Sequence, residues 1–127
     1  MTKIDATRFM TEILGMWTEP ETDARRAVIQ THFDEGVHIH DPDGEFVGHA
    51  GLEAFSDSLQ NRFPGARFTL AETPRTVGNA IRAFWHFGPP GNPQGVSGMD
   101  FVILDGEKAS NLYAFVDDPS SSGQPPN

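Results

Sequence analysis

The sequence predicts an α+β domain in which three N-terminal helices pack on a strongly curved antiparallel sheet. Apolar residues recur at spacings of three and four through much of the first half of the chain, which is typical of helices. Short alternating segments separated by Gly, Pro and Asp fill the second half, which is typical of strands. The connections between these strands are short, so we expect consecutive strands to pair antiparallel. Helices combined with such a sheet define the α+β class.

The three helices are bounded by recognisable start and stop signals. The first follows Asp5, which can cap it, and carries apolar residues as far as Trp17. The second begins near Pro20, with acidic residues on either side. The third spans about residues 50–63 and ends at a Pro-Gly pair.

The predicted strands are separated by turn sequences. A short strand at residues 37–41 lies between the second and third helices and turns at Asp41–Gly44. The remaining strands are expected at residues 67–73, 79–87, 96–104 and 109–116.

Length and composition limit the class of protein. The 127 residues suit one domain, which we assign to residues 1–117. Residues 118–127 carry no large apolar side chain, and we expect them to form a disordered Pro/Ser-rich tail. The chain has no cysteine, which excludes disulfides, thiol nucleophiles and thiolate metal sites.

The charge balance bears on possible partners. A formal net charge of -9 repels nucleic-acid phosphates and anionic lipid head groups, so neither nucleic acid nor membrane is an expected partner. The chain has no apolar run of about 20 residues and no N-terminal secretion pattern. A cytoplasmic location is therefore expected.

Strand alternation predicts which side chains share a face of the sheet. If Phe87 and Gly95 close their hairpin, Arg82 lies opposite Asp100. The next hairpin then brings Asn111 or Tyr113 opposite Asp100. A slip of one residue would reverse these faces.

The face shared by Arg82, Asp100, Asn111 and Tyr113 also carries phenylalanines and valine, which is typical of a lined pocket. His86 has the parity of Arg82 and is expected at the pocket mouth. A buried structural salt bridge is the alternative interpretation of these polar residues. The opposite face is also apolar, and its members are expected to form a homodimer interface: Trp85, Phe87, Phe101 and Ile103.

Several segments resemble a known superfamily over roughly residues 9–117. They are Trp17, Phe33, the run Val37–Pro42, Gly48–Leu52, Met99–Phe101 and Asp105–Lys108. The chain resembles the nuclear transport factor two-like superfamily, and within it the SnoaL-like polyketide cyclases and ketosteroid isomerases. The resemblance implies a cone-shaped open barrel. Because this fold hosts enzymes, binding modules and transport adaptors, it does not fix a function.

The resemblance also assigns roles to three positions. The general-base aspartate of the isomerases precedes a proline, as Asp41 does here, and their second aspartate matches Asp100 on a central strand. Trp17 stands where the isomerases carry a tyrosine. An indole N–H donates one hydrogen bond but is not acidic. The phenol of the oxyanion site is therefore absent.

These roles imply a cofactor-independent isomerase, cyclase or dehydratase in which Asp41 removes a proton beside the carbonyl of a small apolar molecule. One alternative is water activation by Asp100 paired with Arg82, as in the epoxide hydrolases of the same fold. The others are a non-catalytic ligand-binding module and a dimeric interaction module. Asp41 itself has a second interpretation, as a residue that only starts the turn.

The His38 and His40 pair shares an outward parity, and such a pair can chelate a metal. No third ligand lies at a diagnostic spacing. No metal site is therefore predicted.

Overall fold

The computed structural model describes residues 4–117, so the predicted tail at residues 118–127 lies outside the described residues. Three helices are present, as predicted: α1 (Ala6–Met16), α2 (Thr22–His32) and α3 (Gly48–Arg62). The Asp5 carboxylate accepts a hydrogen bond from the Arg8 backbone N–H at 3.1 Å and caps α1. None of the helices in this part of the chain is long and apolar enough to cross a membrane.

The strands account for most of the second half of the chain. They are β1 (Phe33–Asp41), β2 (Gly44–Val47), β3 (Arg67–Leu70), β4 (Arg75–Val77), β5 (Ala80–Gly88), β6 (Val96–Asp105) and β7 (Lys108–Asp117). β1 starts four residues earlier than predicted, directly after α2. The short strand β4 was not predicted, because Pro74 and Gly78 flank it closely.

The sheet is curved, unclosed and mixed, which confirms the α+β class. Its strand order is β2-β1-β7-β6-β5-β3, with β4 paired to β5. The expectation of a wholly antiparallel sheet was wrong, because β1 and β7 pair parallel. These two strands are separated by most of the chain, and rules for adjacent strands do not govern such a pair.

The β5–β6 register differs by one residue from the prediction. Ala83, not Arg82, pairs with Asp100, and Phe87 closes the hairpin with Val96. Two turns in the loop account for the extra residue. Asn92 N donates to the Pro89 carbonyl oxygen at 2.9 Å, and Gly95 N donates to the Asn92 carbonyl oxygen at 3.1 Å.

This shift reverses the predicted faces of β5. The face toward the helices carries Ile81, Ala83, Trp85 and Phe87, all buried. Trp85 and Phe87 were expected on the outer face and lie instead in the interior. The core lies between this inner face and the three helices, and its fully buried members include Met10, Ile13, Phe33, Leu52 and Leu112.

Candidate active site

A cavity of about 1230 Å³ lies between the helices and the inner face of the sheet. Most of its wall is apolar and aromatic, with contributions from Trp17, Ile39, Phe55, Leu59, Phe63, Phe68, Trp85, Phe87 and Leu112. Its charged lining residues are Asp41, Asp43, Arg62, Asp100 and Asp117. An apolar cavity with a few converging polar groups is typical of a small-molecule site.

Asp100 lies on β6 with its side chain on the inner face, where only 3% of the residue is exposed. Burial in this apolar wall raises the pKa of Asp100 to about 7. The hydrogen bond from Trp85 lowers the pKa of Asp100, and the charge of Asp41 raises it. Near neutral pH the carboxyl is therefore poised between its acid and its carboxylate forms.

The two oxygens of Asp100 have different surroundings. Oδ1 accepts a hydrogen bond from Trp85 Nε1 at 3.0 Å. Oδ2 makes no hydrogen bond with residues 4–117, and no side-chain polar atom in that range is both sealed from solvent and unpartnered. Oδ2 must therefore open to the cavity that Asp100 lines.

Asp41 lies at the end of β1, where it both starts a turn and lines the cavity. Its Oδ1 accepts the Asp43 backbone N–H at 2.9 Å, which starts the turn into β2. Its side chain also lines the cavity, because it shares the inward parity of Val37 and Ile39.

Several groups set the pKa of Asp41. Burial raises this pKa above its ordinary value, and the charge of Asp43 adds to the rise. The Asp43 backbone N–H and the charge of Arg62 oppose it. Arg62 lies 3.5 Å from an Asp43 carboxylate oxygen.

Trp17 lines the cavity and lies directly after α1. Its ring packs edge-on against Phe55 at 5.2 Å between centroids. Its carbonyl oxygen accepts a hydrogen bond from Ser56 Oγ at 2.8 Å, and Ser56 in turn accepts one from the buried Arg25 at 3.3 Å. These contacts tie the end of α1 to α2 and α3.

The Trp17 indole N–H is free to serve a ligand. It makes no hydrogen bond with the described residues, and it is not sealed from solvent. Trp17 is 97% buried and lines the cavity.

Four residues predicted to bind substrate lie on the outer face instead. Arg82 and His86 do so because of the β5–β6 shift, and Asn111 and Tyr113 do so because Asp100 pairs with Ala114 on β7. Arg82 lies over the Phe84 ring at 5.2 Å, and His86 contacts Ser97 Oγ at 3.1 Å. The other two, Asn111 and Tyr113, contact a histidine of β1. None of the four lines the cavity.

The predicted ion pair between Arg82 and Asp100 is therefore wrong. Arg82 projects to the opposite face of the sheet from Asp100, since it pairs with Phe101. For the same reason, Arg82 does not lower the pKa of Asp100. Water activation by an Asp100–Arg82 pair is no longer a candidate chemistry.

Sequence reasoning missed two residues of the site. Trp85 is the hydrogen-bond partner of Asp100. The predicted register placed Trp85 on the opposite face of the sheet from Asp100, whereas the observed register places both residues on the inner face. Arg62 faces the cavity from the last turn of α3, where its only sequence signal was that of a helix end.

The outward histidines of β1 have partners other than a metal. His38 lies 2.5 Å from a Glu45 carboxylate oxygen, and the His40 ring stacks on Tyr113 at 4.3 Å. Within residues 4–117, no group of three or more acidic or histidine side chains is placed to hold a metal ion.

The helices, the curved sheet and the enclosed pair of carboxyl groups define a cone-shaped α+β protein with a small-molecule cavity. The sequence profile of the SnoaL-like domain family matches residues 16–111. The chain belongs to the SnoaL-like domain family, within the superfamily that the sequence resembles. A comparison with curated proteins found no significant match.

Three solved structures are similar to this chain. One, from Agrobacterium tumefaciens, is provisionally named an isomerase of the SnoaL-like family; it is 28% identical, with a TM-score of 0.82 over 89% of this chain and 97% of its own. A protein of ketosteroid isomerase-like fold from Catenulispora acidiphila, solved with trimethylamine, is 16% identical, with a TM-score of 0.72 over 92% and 93% of the two chains. A provisionally named ketosteroid isomerase from Kribbella flavida is 14% identical, with a TM-score of 0.65 over 87% and 76%. The last two similarities show the fold alone.

Proposed function

We propose that this protein is a cytoplasmic, cofactor-independent enzyme of the isomerase, cyclase or dehydratase type that acts on a small apolar carbonyl compound. One observation carries the proposal: Asp41 and Asp100 open into the same apolar cavity, and burial raises the pKa of each. Two carboxyl groups in one site can divide the roles of base and acid when one ionises more readily than the other.

Asp41 is the base in this proposal. Its carboxylate takes a proton from the carbon beside the substrate carbonyl, and the electron pair of the broken C–H bond moves into an enolate. Return of that proton to another carbon completes an isomerisation. Its raised pKa makes Asp41 a stronger base than an exposed aspartate.

Asp100 and Trp17 hold the enolate oxygen. A neutral Asp100 donates from Oδ2, since Oδ1 already accepts from Trp85. The Trp17 indole N–H supplies a second, non-acidic donor in place of a phenol. Ketosteroid isomerase, in which a protonated aspartate donates to the oxyanion, is the known precedent for such a donor and belongs to the same superfamily.

The lining and the volume of the cavity also limit the shape, size and charge of the substrate. Its aromatic wall suits a flat apolar skeleton, and its volume exceeds about 1,000 Å³, the upper range of ordinary ligand pockets. Three aspartates other than Asp100 belong to the lining or its rim, against one arginine, so a neutral ligand is favoured over an anion.

Exchange of the proton beside a carbonyl tests the proposal directly. We expect the protein to accelerate incorporation of deuterium from D₂O into 2-tetralone, an apolar bicyclic ketone, as followed by proton NMR. Asp105→Asn, which removes an exposed carboxylate from the strand that carries Asp100, should retain this activity. Binding of the ketone without exchange would instead indicate a non-catalytic binding module and contradict the enzymatic proposal.

We also propose that two copies associate through the outer face of the sheet, which keeps Phe101 of the expected residues but not the buried Trp85 and Phe87. Phe101, Tyr113 and Phe115 are 36%, 38% and 55% exposed there. The outward residues of β5 and β6 between Arg82 and Ile103 include no carboxylate, so two copies of this acidic chain can meet there without repulsion between carboxylates. The proposed binding partner at this surface is therefore a second copy of the chain.

Phe101→Asp is expected to convert the dimer to a monomer, because it places two carboxylates in the apolar centre of a two-fold interface. Sedimentation velocity at micromolar concentration measures the change. Ala54→Asp adds the same charge to an exposed position of α3 and should leave the dimer intact. A wild-type monomer under these conditions would contradict the proposed association.

A further inference from the structure

Gly98 lies beneath the indole of Trp85. The two residues are cross-strand partners on β6 and β5, and Gly98 shares the inner face with Asp100, two residues further along. A Cβ atom at Gly98 would lie 2.3 Å from Cζ2 and 2.4 Å from Cη2 of Trp85, and 2.5 Å from the Phe115 carbonyl oxygen. The indole and the Phe115 carbonyl group therefore occupy the space that any side chain at this position would take.

This contact determines where the indole N–H points. Cζ2 is bonded to the ring carbon that carries Nε1, so the position of the six-membered ring over Gly98 fixes the position of Nε1. From there, Nε1 donates to Asp100 Oδ1 at 3.0 Å. The Phe68 ring packs edge-on against the indole at 5.0 Å between centroids and limits its movement from another side.

We propose that Gly98 is a positioning residue, which seats the Trp85 indole so that its N–H engages Oδ1 of Asp100 and leaves Oδ2 to face the substrate. The catalytic meaning of this arrangement rests on the proposed function, whereas the arrangement itself does not. A donor fixed on Oδ1 favours the acidic proton on Oδ2, the oxygen that opens to the cavity.

The arrangement predicts that Gly98 and Trp85 act on Asp100 through one hydrogen bond. That bond opposes the rise in the pKa of Asp100 that burial causes. Among the described residues, Asp41 is the one titratable group whose charge acts on Asp100. Loss of the bond should therefore raise the pKa of Asp100 further, by about one pH unit, as expected for one hydrogen bond to a carboxylate.

Carbon-detected NMR titration of the Asp100 carboxyl in the full chain tests this without any substrate. We expect Gly98→Ala and Trp85→Phe each to raise the pKa of Asp100. The double variant should show no rise in the pKa of Asp100 beyond that of Trp85→Phe alone, because the hydrogen bond that Gly98 positions is already absent. Gly36→Ala is the matched control, since it adds a methyl group to another strand glycine where no atom lies within 4 Å.

Three results would overturn the proposal: an unchanged pKa in Gly98→Ala, additive effects in the double variant, or no effect of Trp85→Phe. If Gly98→Ala does not fold, the comparison between Trp85→Phe and the double variant decides, and a higher pKa of Asp100 in the double variant counts against the proposal. Failure of the ketone exchange with these titrations intact would overturn the proposed enzyme activity and leave the role of Gly98 standing.

Discussion

Asp41→Asn is expected to lower the rate of deuterium exchange into 2-tetralone by about 10²–10⁴-fold, the usual contribution of a general base. Asparagine keeps the size of the side chain, and its amide oxygen can still accept the Asp43 backbone N–H that holds the turn. The substitution therefore removes the basic oxygen while preserving the local structure. Proton NMR in D₂O under saturating ketone measures the loss.

A companion pair of substitutions separates the base from the donor. Asp100→Asn retains an N–H donor toward the cavity and should lose less activity than Asp100→Leu, which retains none. Both should bind the ketone. If Asp41→Asn exchanges deuterium as fast as the wild-type protein, Asp41 is only a turn residue and another group must be the base.

The stability of the protein is expected to fall as the pH rises from 5 to 8, by about 2–3 kcal/mol from Asp100 alone. The pKa of Asp100 is about 7 in the folded protein, against an ordinary value of 3.8. Between these values the folded state binds a proton that the unfolded state has released. The contribution of this group is therefore complete below pH 3.8 and is lost as the pH rises through 7.

Urea denaturation at a series of pH values measures this dependence, and Asp100→Asn isolates it. Asparagine cannot ionise, yet its oxygen can accept the Trp85 N–H, so the variant should become more stable than the wild-type protein at pH 8. The carboxylates of Glu12, Glu45 and Glu53 have lowered pKa values and act below this pH window. Parallel stability curves for the two proteins would show that Asp100 ionises normally.

The sequence alone determined the helices and the position of Asp41. Start and stop signals located three helices, because they act over a few neighbouring residues. Alternation from Val37 through Ile39 is sufficient to place Asp41 on the inner face, where the structure has it, since one short strand carries the whole argument. The Asp-Pro pair and the Asp100 position indicated the carboxyl groups that share the cavity.

The tertiary structure alone decided which residues accompany Asp100. Both faces of β5 carry large apolar side chains, so hydrophobic pattern did not distinguish the two registers, and the turns within the hairpin loop settled a difference of one residue. This one-residue difference in register places Trp85, not Arg82, beside the Asp100 carboxyl group. The pKa of Asp100 consequently rises through burial where an ion pair would have lowered it, because the charge of a buried group depends on neighbours that only the folded chain brings together.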